Sequence, residues 1–333
     1  MNPYGVIIAG TGHCVPERRL TNEDLSKMVD TNDEWIMQRT GIRERRIASE
    51  NESTAKLAAG AARSAIEAAG LTPADIDLII VGTITPEMVT PSTANFVALE
   101  LGRAGITSFD ISAACSGFLY ALETGASLMK AGQYRHAVVI GADTLSRITD
   151  YSDRSSCILF GDGAGAVVLS RAPEARAGEP VRGILHTSLH SDASGWELLY
   201  CAPGSRNPVT AKMLEEKGQY LRMKGRDIYK FAVSRFQELL EDAVKTCNLK
   251  PEDVSLVVPH QVNLRIIDSA LEKLGLPRER CIINIDRFGN TSAASIPIAL
   301  DEAWRAGRVK KGDVLVFVAF GAGLTWANAV VRV

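Results

Sequence analysis

The sequence predicts an α/β fold, because strand-like and helix-like stretches alternate along it. Residues 77–82 and 137–141 are short, continuous apolar runs. Such runs are typical of strands buried on both faces, as in a parallel sheet. The alanine-rich stretch 53–69 has a helical pattern and is followed by Gly70, a residue type that often ends helices. Strands that alternate with helices predict sheets covered by helices.

An internal repeat indicates that the fold has two similar halves. Three matches occur in order at almost one spacing: residues 71–80 with 249–258, 112–115 with 292–295, and 137–141 with 314–319. We therefore expect a duplication, with halves at 1–172 and 181–333 and a linker at 173–180. Two sheets packed across a helix layer would bring equivalent strand ends together, so a site between the halves takes residues from both.

The remaining elements follow from local signals. Thr21 and Asp33 are helix-capping residue types at the start of helical stretches. The expected elements of the first half are, in order, a strand at 6–9, helices at 22–29 and 34–39, an arginine-rich loop at 40–46, the helix 53–69, the strand 77–82, a helix at 91–101, a strand and helix around residues 109–130, the strand 137–141, and a glycine-rich turn into a strand at 158–170.

Composition limits the classes of function. The 333 residues carry a net charge of −2, which gives no overall basic field for nucleic acid. No apolar run is long enough to predict a membrane span. Six scattered cysteines without a CxxC pair favour reduced thiols and a cytoplasmic location. The N-terminus has the pattern of a strand rather than of a signal peptide.

Cys115 is the first candidate for chemistry. It lies between the strand ending near residue 111 and the helix 117–130, among small residues that let a substrate approach. The N-terminus of a helix favours thiolate over thiol. A buried cysteine that only packs is the ordinary alternative.

The second half supplies two possible partners. His260 follows the apolar run 256–259, and Asn290 precedes a helical stretch. Each residue alone is explained by structure, as a satisfied histidine or a helix cap. All three candidates, however, fall at strand–helix junctions of one duplicated fold. A cysteine, a histidine and an asparagine so placed predict nucleophilic catalysis.

Several segments in order along the chain resemble the thiolase-fold condensing enzymes, and most closely the β-ketoacyl-acyl carrier protein synthase III family. They are residues 33–36, 39–45, 113–117, 160–166, 259–265, 289–294 and 320–326. The set of Cys115, His260 and Asn290 is the specific part, since elongating synthases use two histidines and thiolases a second cysteine. The resemblance implies a layered αβαβα fold and a homodimer.

The implied reaction is a decarboxylative condensation that starts fatty acid synthesis. An acyl-coenzyme A primer acylates Cys115, and the backbone N–H groups of Cys115 and Ala322 form the oxyanion hole. His260 and Asn290 then stabilise the enolate formed from malonyl-acyl carrier protein. The chemistry requires no metal and no redox cofactor. We interpret the glycine-rich segment 160–165 as a place where the backbone packs closely against the catalytic loops, rather than as a phosphate-binding loop.

The resemblance also assigns binding residues. Trp35, Arg39, Arg154 and Asn263 match coenzyme A-binding positions. Three further cations suit the docking of an acidic acyl carrier protein, although solvated helix faces are the ordinary interpretation of such residues: Lys230, Arg265 and Lys273. Thr90 takes the place of a bulky aromatic residue that closes the partner subunit's acyl pocket in members restricted to short primers. It therefore predicts primers longer than acetyl.

Other functions stay open at this stage. One is a condensing enzyme of specialised lipid metabolism with a longer primer. Another is a non-condensing acyltransferase or acyl-thioester binder on the same fold. A third is a papain-like cysteine hydrolase, which also uses cysteine, histidine and asparagine. The spacing of His186 and His190 suits a metal site only on a helix, and their segment has an extended pattern.

Overall fold

The structure is a computed structural model that describes residues 5–172 and 180–333. The elements from the first part of the chain are β1 (Val6–Cys14), β2 (Arg19–Thr21), α1 (Asn22–Ser26), α2 (Asp33–Thr40), β3 (Glu44–Arg46), α3 (Thr54–Ala68), β4 (Leu78–Gly82), α4 (Thr93–Glu100), β5 (Thr107–Ile111), α5 (Gly117–Lys130), β6 (His136–Thr144) and β7 (Asp162–Arg171). Those that follow are β8 (Gly183–Ser191), β9 (Leu199–Cys201), α6 (Ala211–Glu215), β10 (Leu221–Met223), α7 (Gly225–Thr246), β11 (Leu256–Pro259), α8 (Leu264–Leu274), α9 (Ile285–Phe288), α10 (Ser295–Arg305), β12 (Val314–Gly321) and β13 (Thr325–Arg332).

Two large sheets have the same topology. The first has the order β1-β7-β6-β4-β5, and the second has the order β8-β13-β12-β11. In the first sheet β4 is parallel to β5 and β6, while β7 is antiparallel to its neighbours. In the second β11 is parallel to β12, and β13 is antiparallel to both of its neighbours. Where the second sheet would have a fifth strand, Cys281 makes a single parallel bridge to Val257.

The layers are helix, sheet, helix, sheet, helix. Helices α5 and α10 lie between the sheets, within a core cluster that contains Phe118, Leu300 and Phe317. The alanine-rich α3 and the shorter α4 cover the outer face of the first sheet, and α7 and α8 cover that of the second. The α/β class and the αβαβα layering expected from the sequence are thereby confirmed. Within the described residues, no helix has both the length and the apolar character needed to cross a membrane.

The repeat has one spacing, and one of the predicted matches was wrong. Ala114 and Ser292 both have a positive φ and each begins a short 3₁₀ turn, which leads into α5 and α10 respectively. These residues are 178 positions apart, so residues 112–115 do not correspond to 292–295 as expected. The small side chains of the two turns look alike in sequence, which hid a shift of two. The structural counterpart of Cys115 is Ala293.

Most predicted elements exist, with shifted ends. Thr21 caps α1 through a capping box, but the helix ends at Ser26 instead of Val29. The cap of α2 is Asn32 rather than Asp33. The predicted loop 40–46 contains the short strand β3, which pairs with β2. Residues 173–179 of the expected linker lie outside the described part of the chain, and the division at 1–172 and 181–333 stays a prediction.

Candidate active site

Cys115 lies in the turn between β5 and α5. The Ala114–Ser116 turn continues directly into the helix at Gly117. The close approach of Cys115 to the second half depends on Gly321, the last residue of β12. A Cβ on Gly321 would lie 2.7 Å from the amide nitrogen of Cys115, closer than side chains tolerate. Glycine at this point therefore lets the end of β12 pass against the cysteine.

The resting cysteine is a thiol. The pKa of Cys115 is raised to about 12, chiefly by burial and also by the nearby Asp143 carboxylate, while a hydrogen bond with the Ser292 hydroxyl acts in the opposite direction. The sequence predicted a thiolate-favouring position at a helix N-terminus. The helix is there, but the cost of burying a charge outweighs its effect. A nucleophilic role would therefore require the thiol of Cys115 to lose its proton during the attack rather than beforehand.

His260 is neutral and fixed through one ring nitrogen. It follows β11, is 1% exposed, and its Nδ1 lies 2.6 Å from the Ser295 hydroxyl. Burial lowers its pKa to about 3. The ring of Phe320 contacts it edge-on at 5.8 Å. Its Nε2 is buried and has no hydrogen-bond partner among the described residues, so it is available to a bound substrate.

Asn290 has a fixed orientation too. Its Oδ1 accepts a hydrogen bond from the Ser292 N–H at 2.9 Å, which turns the Nδ2 amide away from that turn. The backbone of Asn290 pairs with residues 159–161 in a short parallel bridge to Phe160. A Cβ on Gly161 would lie 2.2 Å from the carbonyl oxygen of Phe288. The glycine-rich segment thus packs its backbone against the asparagine turn, as the sequence predicted.

The loop after β12 brings Ala322 beside the cysteine turn. The Thr325 hydroxyl lies 3.0 Å from the carbonyl oxygen of Ala113 and 3.1 Å from that of Ala322. It therefore links the loop to the residues before Cys115. Cys115 and Ala322 line the same cavity, where their backbones are the predicted oxyanion donors.

The three candidate side chains line one apolar cavity. Cys115, His260 and Asn290 share it with a set of apolar residues that includes Ile84, Leu145, Leu159, Phe160, Leu199, Leu221, Met223, Ile228 and Phe320. Such a largely apolar cavity suits a hydrocarbon chain. The structure therefore brings the sequence-predicted trio together from both halves.

A surface groove leads to this cavity and contains the predicted coenzyme A residues. Trp35, Arg39, Arg154 and Asn263 all line it, and Leu159, Met223, Ile228 and Val262 line both spaces. The guanidinium carbons of Arg39 and Arg154 lie 4.5 Å and 5.1 Å from the Trp35 ring centroid. The groove thus joins an aromatic face and two cations to the inner cavity.

Asn263 has a supporting position in this groove. Its Nδ2 donates to the carbonyl oxygen of Arg39 at 2.9 Å, and its Oδ1 caps α8 by accepting from the Arg265 N–H. The side chain therefore holds α8 against α2. This gives Asn263 a way to order the groove without binding the ligand itself.

The other predicted residues lie outside the cavity. Lys230, Arg265 and Lys273 are exposed, on α7 and α8, and Arg265 also lines the groove. Thr90 is exposed and does not line the cavity of its own chain. Within residues 5–172 and 180–333, no group of three or more His, Cys, Asp or Glu is placed to hold a metal ion. His186 and His190 lie along β8, where His190 stacks on Trp326.

Two buried residues that sequence reasoning missed support the site. Asp143 accepts hydrogen bonds from the N–H groups of Ile84 and Thr85, and burial raises its pKa. Arg45 is fully buried and donates to the carbonyl oxygen of Ile158 at 2.7 Å, next to the segment that holds Asn290. Asp143 had a signal, because it is an acid two residues past the predicted apolar strand 137–141. No sequence signal distinguished Arg45 from the other arginines of the predicted loop 40–46.

Comparisons with known proteins agree with this geometry. The family described as 3-oxoacyl-[acyl-carrier-protein (ACP)] synthase III matches residues 109–193, and its C-terminal counterpart matches residues 244–333. The β-ketoacyl-[acyl-carrier-protein] synthase III of Caldanaerobacter subterraneus subsp. tengcongensis is 48% identical over 326 residues, covering 98% of this chain and 97% of that protein. The chain belongs to the β-ketoacyl-acyl carrier protein synthase III family. The resemblance noted in the sequence is confirmed, and the protein is an acyl-transferring condensing enzyme of fatty acid biosynthesis.

Solved structures of this family show the same fold. The 3-oxoacyl-[acyl-carrier-protein] synthase III of Aquifex aeolicus VF5 superposes with a TM-score of 0.90 at 47% identity, covering 99% of this chain and all of that one. The priming β-ketosynthase of the R1128 polyketide pathway superposes with a TM-score of 0.89 at 35% identity, covering 98% and 96% of the two chains. A papain-like hydrolase is thereby excluded.

Proposed function

We propose that this enzyme condenses an acyl-coenzyme A primer with malonyl-acyl carrier protein through an acyl-Cys115 intermediate. One observation carries the proposal. Cys115 shares an apolar cavity with two oriented groups, the unpartnered Nε2 of His260 and the side-chain amide of Asn290. A thiol supplies the nucleophile, and the other two suit a developing oxyanion.

The first half-reaction loads the primer. The sulfur of Cys115 attacks the thioester carbon, and the N–H groups of Cys115 and Ala322 receive the developing oxyanion. The carbon–sulfur bond to coenzyme A then breaks. The departing thiolate takes up the proton that Cys115 loses, so no charge remains in the cavity. The groove lined by Trp35, Arg39 and Arg154 suits the nucleotide end of coenzyme A, since an aromatic face and cations bind an adenine and phosphates.

The second half-reaction forms the new carbon–carbon bond. The malonyl group loses carbon dioxide, and the electron pair of the broken bond moves towards the thioester oxygen. His260 Nε2–H and the Asn290 amide stabilise that oxygen by donating hydrogen bonds. The carbanion attacks the acyl carbon, the bond to sulfur breaks, and the Cys115 thiolate that leaves takes up a proton from solvent. Neither step needs a metal or a redox cofactor.

The remaining assignments belong to the same proposal. Lys230, Arg265 and Lys273 would attract an acidic acyl carrier protein to the mouth of the groove. The enzyme would act as a homodimer in the cytoplasm, with the loop that carries Thr90 closing the acyl pocket of the partner subunit. The exposure of Thr90 fits a contact outside its own chain.

A second candidate function concerns the pathway rather than the chemistry. The similarity to the priming β-ketosynthase of the R1128 polyketide pathway supports a condensing enzyme of specialised metabolism. The cavity is lined mostly by apolar side chains, which an acyl primer requires in either role. Products from a panel of primers separate the two functions. A non-condensing acyltransferase has no comparable support, because it would not need both His260 and Asn290.

The test is to trap and chase the intermediate. Incubation with acyl-coenzyme A should add one acyl group to the peptide that contains Cys115, as read by mass spectrometry. Malonyl-acyl carrier protein should then remove it and yield a β-ketoacyl product. Cys201 lines the same cavity, so Cys201→Ala is a matched control that should acylate normally. Acylation at Cys201, or an acyl group that malonyl-acyl carrier protein cannot remove, would contradict the proposal.

A further inference from the structure

The Ser295 hydroxyl has one proton and two acceptors near it. Its oxygen lies 2.6 Å from Nδ1 of His260 and 3.0 Å from the carbonyl oxygen of Ser292. The same oxygen accepts a hydrogen bond from the Gln261 N–H at 3.2 Å. All of these groups are buried. The direction of this single proton therefore determines which nitrogen of His260 carries a hydrogen.

Only one direction leaves a donor in the cavity. If Ser295 donates to Nδ1, the neutral ring carries its proton on Nε2, which faces the substrate space. If Ser295 donates to Ser292, Nδ1 must carry the proton and Nε2 can only accept. The Ser292 carbonyl already accepts the Ser295 backbone N–H, whereas Nδ1 has no other partner among the described residues.

The duplicated halves differ at this contact. Residues 82 and 117 are the counterparts of 260 and 295, since both pairs are 178 positions apart. Gly82 and Gly117 touch through their backbones, where a Cβ on Gly82 would lie 2.5 Å from the Gly117 carbonyl carbon. In the second half the same place holds a histidine hydrogen-bonded to a serine. A close backbone contact in one half is a side-chain pair in the other.

We infer that Ser295 is a positioning residue that donates its proton to His260 Nδ1 and thereby keeps Nε2–H directed at the substrate. The inference rests on the proposed function, in which that N–H stabilises the enolate. Gln261 cannot replace Ser295, because its amide is held by the carbonyl oxygens of Pro259 and Ile282 and by the Asn284 N–H. Because the pKa of His260 is low, the ring stays neutral, and only the position of its single N–H proton can differ.

The direct test reads the tautomer without any turnover. Histidine labelled with ¹⁵N gives a different two-bond ¹H–¹⁵N pattern for each tautomer, and His260→Ala identifies the signal among the five histidines. We expect the Nε2–H pattern in the unaltered protein, and a shift towards Nδ1–H in Ser295→Ala. An Nδ1–H pattern in the unaltered protein would overturn the inference, and so would an unchanged pattern in Ser295→Ala.

Activity supplies the second readout. Ser295→Ala should slow decarboxylation of malonyl-acyl carrier protein by between about 10-fold and the roughly 10²–10³-fold that follows complete loss of a donor. Acylation of Cys115 should be unaffected, and Ser295→Thr should restore part of the rate. Ser170 and His136 form a similar pair at 2.8 Å on β7 and β6, so Ser170→Ala is the matched control and should keep the full rate. Normal decarboxylation by folded Ser295→Ala would overturn the inference. Absence of decarboxylation in the unaltered enzyme would instead refute the proposed function, while the tautomer is still measurable.

Discussion

Individual side chains act here through burial as much as through their chemical type. Cys115 has the helix N-terminus expected of an activated thiol, yet burial holds its pKa near 12. His260 stays neutral for the same reason. A substrate that fills the cavity therefore meets uncharged groups. In the proposed reaction, the charge of each step develops on the reacting atoms, next to groups already oriented to stabilise it.

The pH dependence of Cys115 reactivity follows from this pKa. Below about pH 12 the thiolate fraction, and so the rate of alkylation by iodoacetamide, should rise about tenfold per pH unit without levelling off between about pH 7 and pH 10. Mass spectrometry of the peptide that contains Cys115 separates its rate from those of the other thiols. A plateau below about pH 8 would show an activated thiolate and contradict the burial argument.

Sequence reasoning found three residues that line one cavity, but not the residues that hold them in place. Cys115, His260 and Asn290 stand out because each follows or precedes an element at a strand–helix junction. Arg45 and Ser295 act through contacts with residues more than thirty positions away, which no local pattern contains. The prediction that Cys115 favours the thiolate was wrong for a related reason, since burial depends on the whole fold.

At the scale of elements, α8 begins at the groove and continues along the surface beside it. Asn263 caps it and holds it to α2, and Arg265 extends from its first turn into the groove. Lys273 lies further along the same helix, and Lys230 on α7. This arrangement puts the proposed carrier-binding charges beside the path to the cavity.

Reversing the charge of Arg265 should therefore weaken carrier binding. We expect Arg265→Glu to raise the KM for malonyl-acyl carrier protein by about tenfold at low salt, with a smaller effect at high salt because screening shortens the range of the field. Acylation by acyl-coenzyme A should fall much less. Lys311→Glu changes the same charge at an exposed position away from the groove and is the control. An equal loss with both substrates would argue against carrier docking.

The elements also show what periodicity predicts well. Apolar runs located the central strands, and α5 was predicted at the residues where it begins and ends, because it is amphipathic and follows small turn residues. Short pieces were missed. The strand β3 pairs with β2, a contact that the local pattern does not contain, and α1 ends three residues before the predicted Val29.

At the scale of the molecule, duplication explains where the site is. Both sheets direct equivalent strand ends at the same place, so Cys115 of one half meets His260 and Asn290 of the other. The spacing of the repeat predicted this meeting. It did not predict the shift of two residues at the helix starts, because serine and alanine recur there in both halves. The backbone angles of Ala114 and Ser292 were needed to see it.

Primer length belongs to this scale as well, because Thr90 does not line its own chain's cavity. If it closes the partner's pocket, the unaltered enzyme should accept primers longer than acetyl. Each added methylene that is buried contributes about 0.8 kcal/mol, roughly fourfold in kcat/KM. Thr90→Phe should shift the preference towards acetyl in a series from acetyl to dodecanoyl. Val89→Phe, with equal added bulk on the adjacent, fully exposed position, is the control.

Two results would contradict that expectation. One is an unaltered enzyme that uses only acetyl-coenzyme A. The other is a Thr90→Phe variant with an unchanged preference. Light scattering decides independently whether the chain forms the homodimer on which the prediction depends.

The central claim is that Cys115 accepts the acyl group, whereas His260 and Asn290 promote decarboxylation of the malonyl group. The most direct test measures the two half-reactions separately in three variants, as acyl transfer to the enzyme and as carbon dioxide release from malonyl-acyl carrier protein. Cys115→Ala should lose acyl transfer and keep carbon dioxide release. His260→Ala and Asn290→Ala should be acylated normally, while carbon dioxide release falls by roughly 10²–10³-fold. Release at the normal rate in the histidine and asparagine variants would contradict the account.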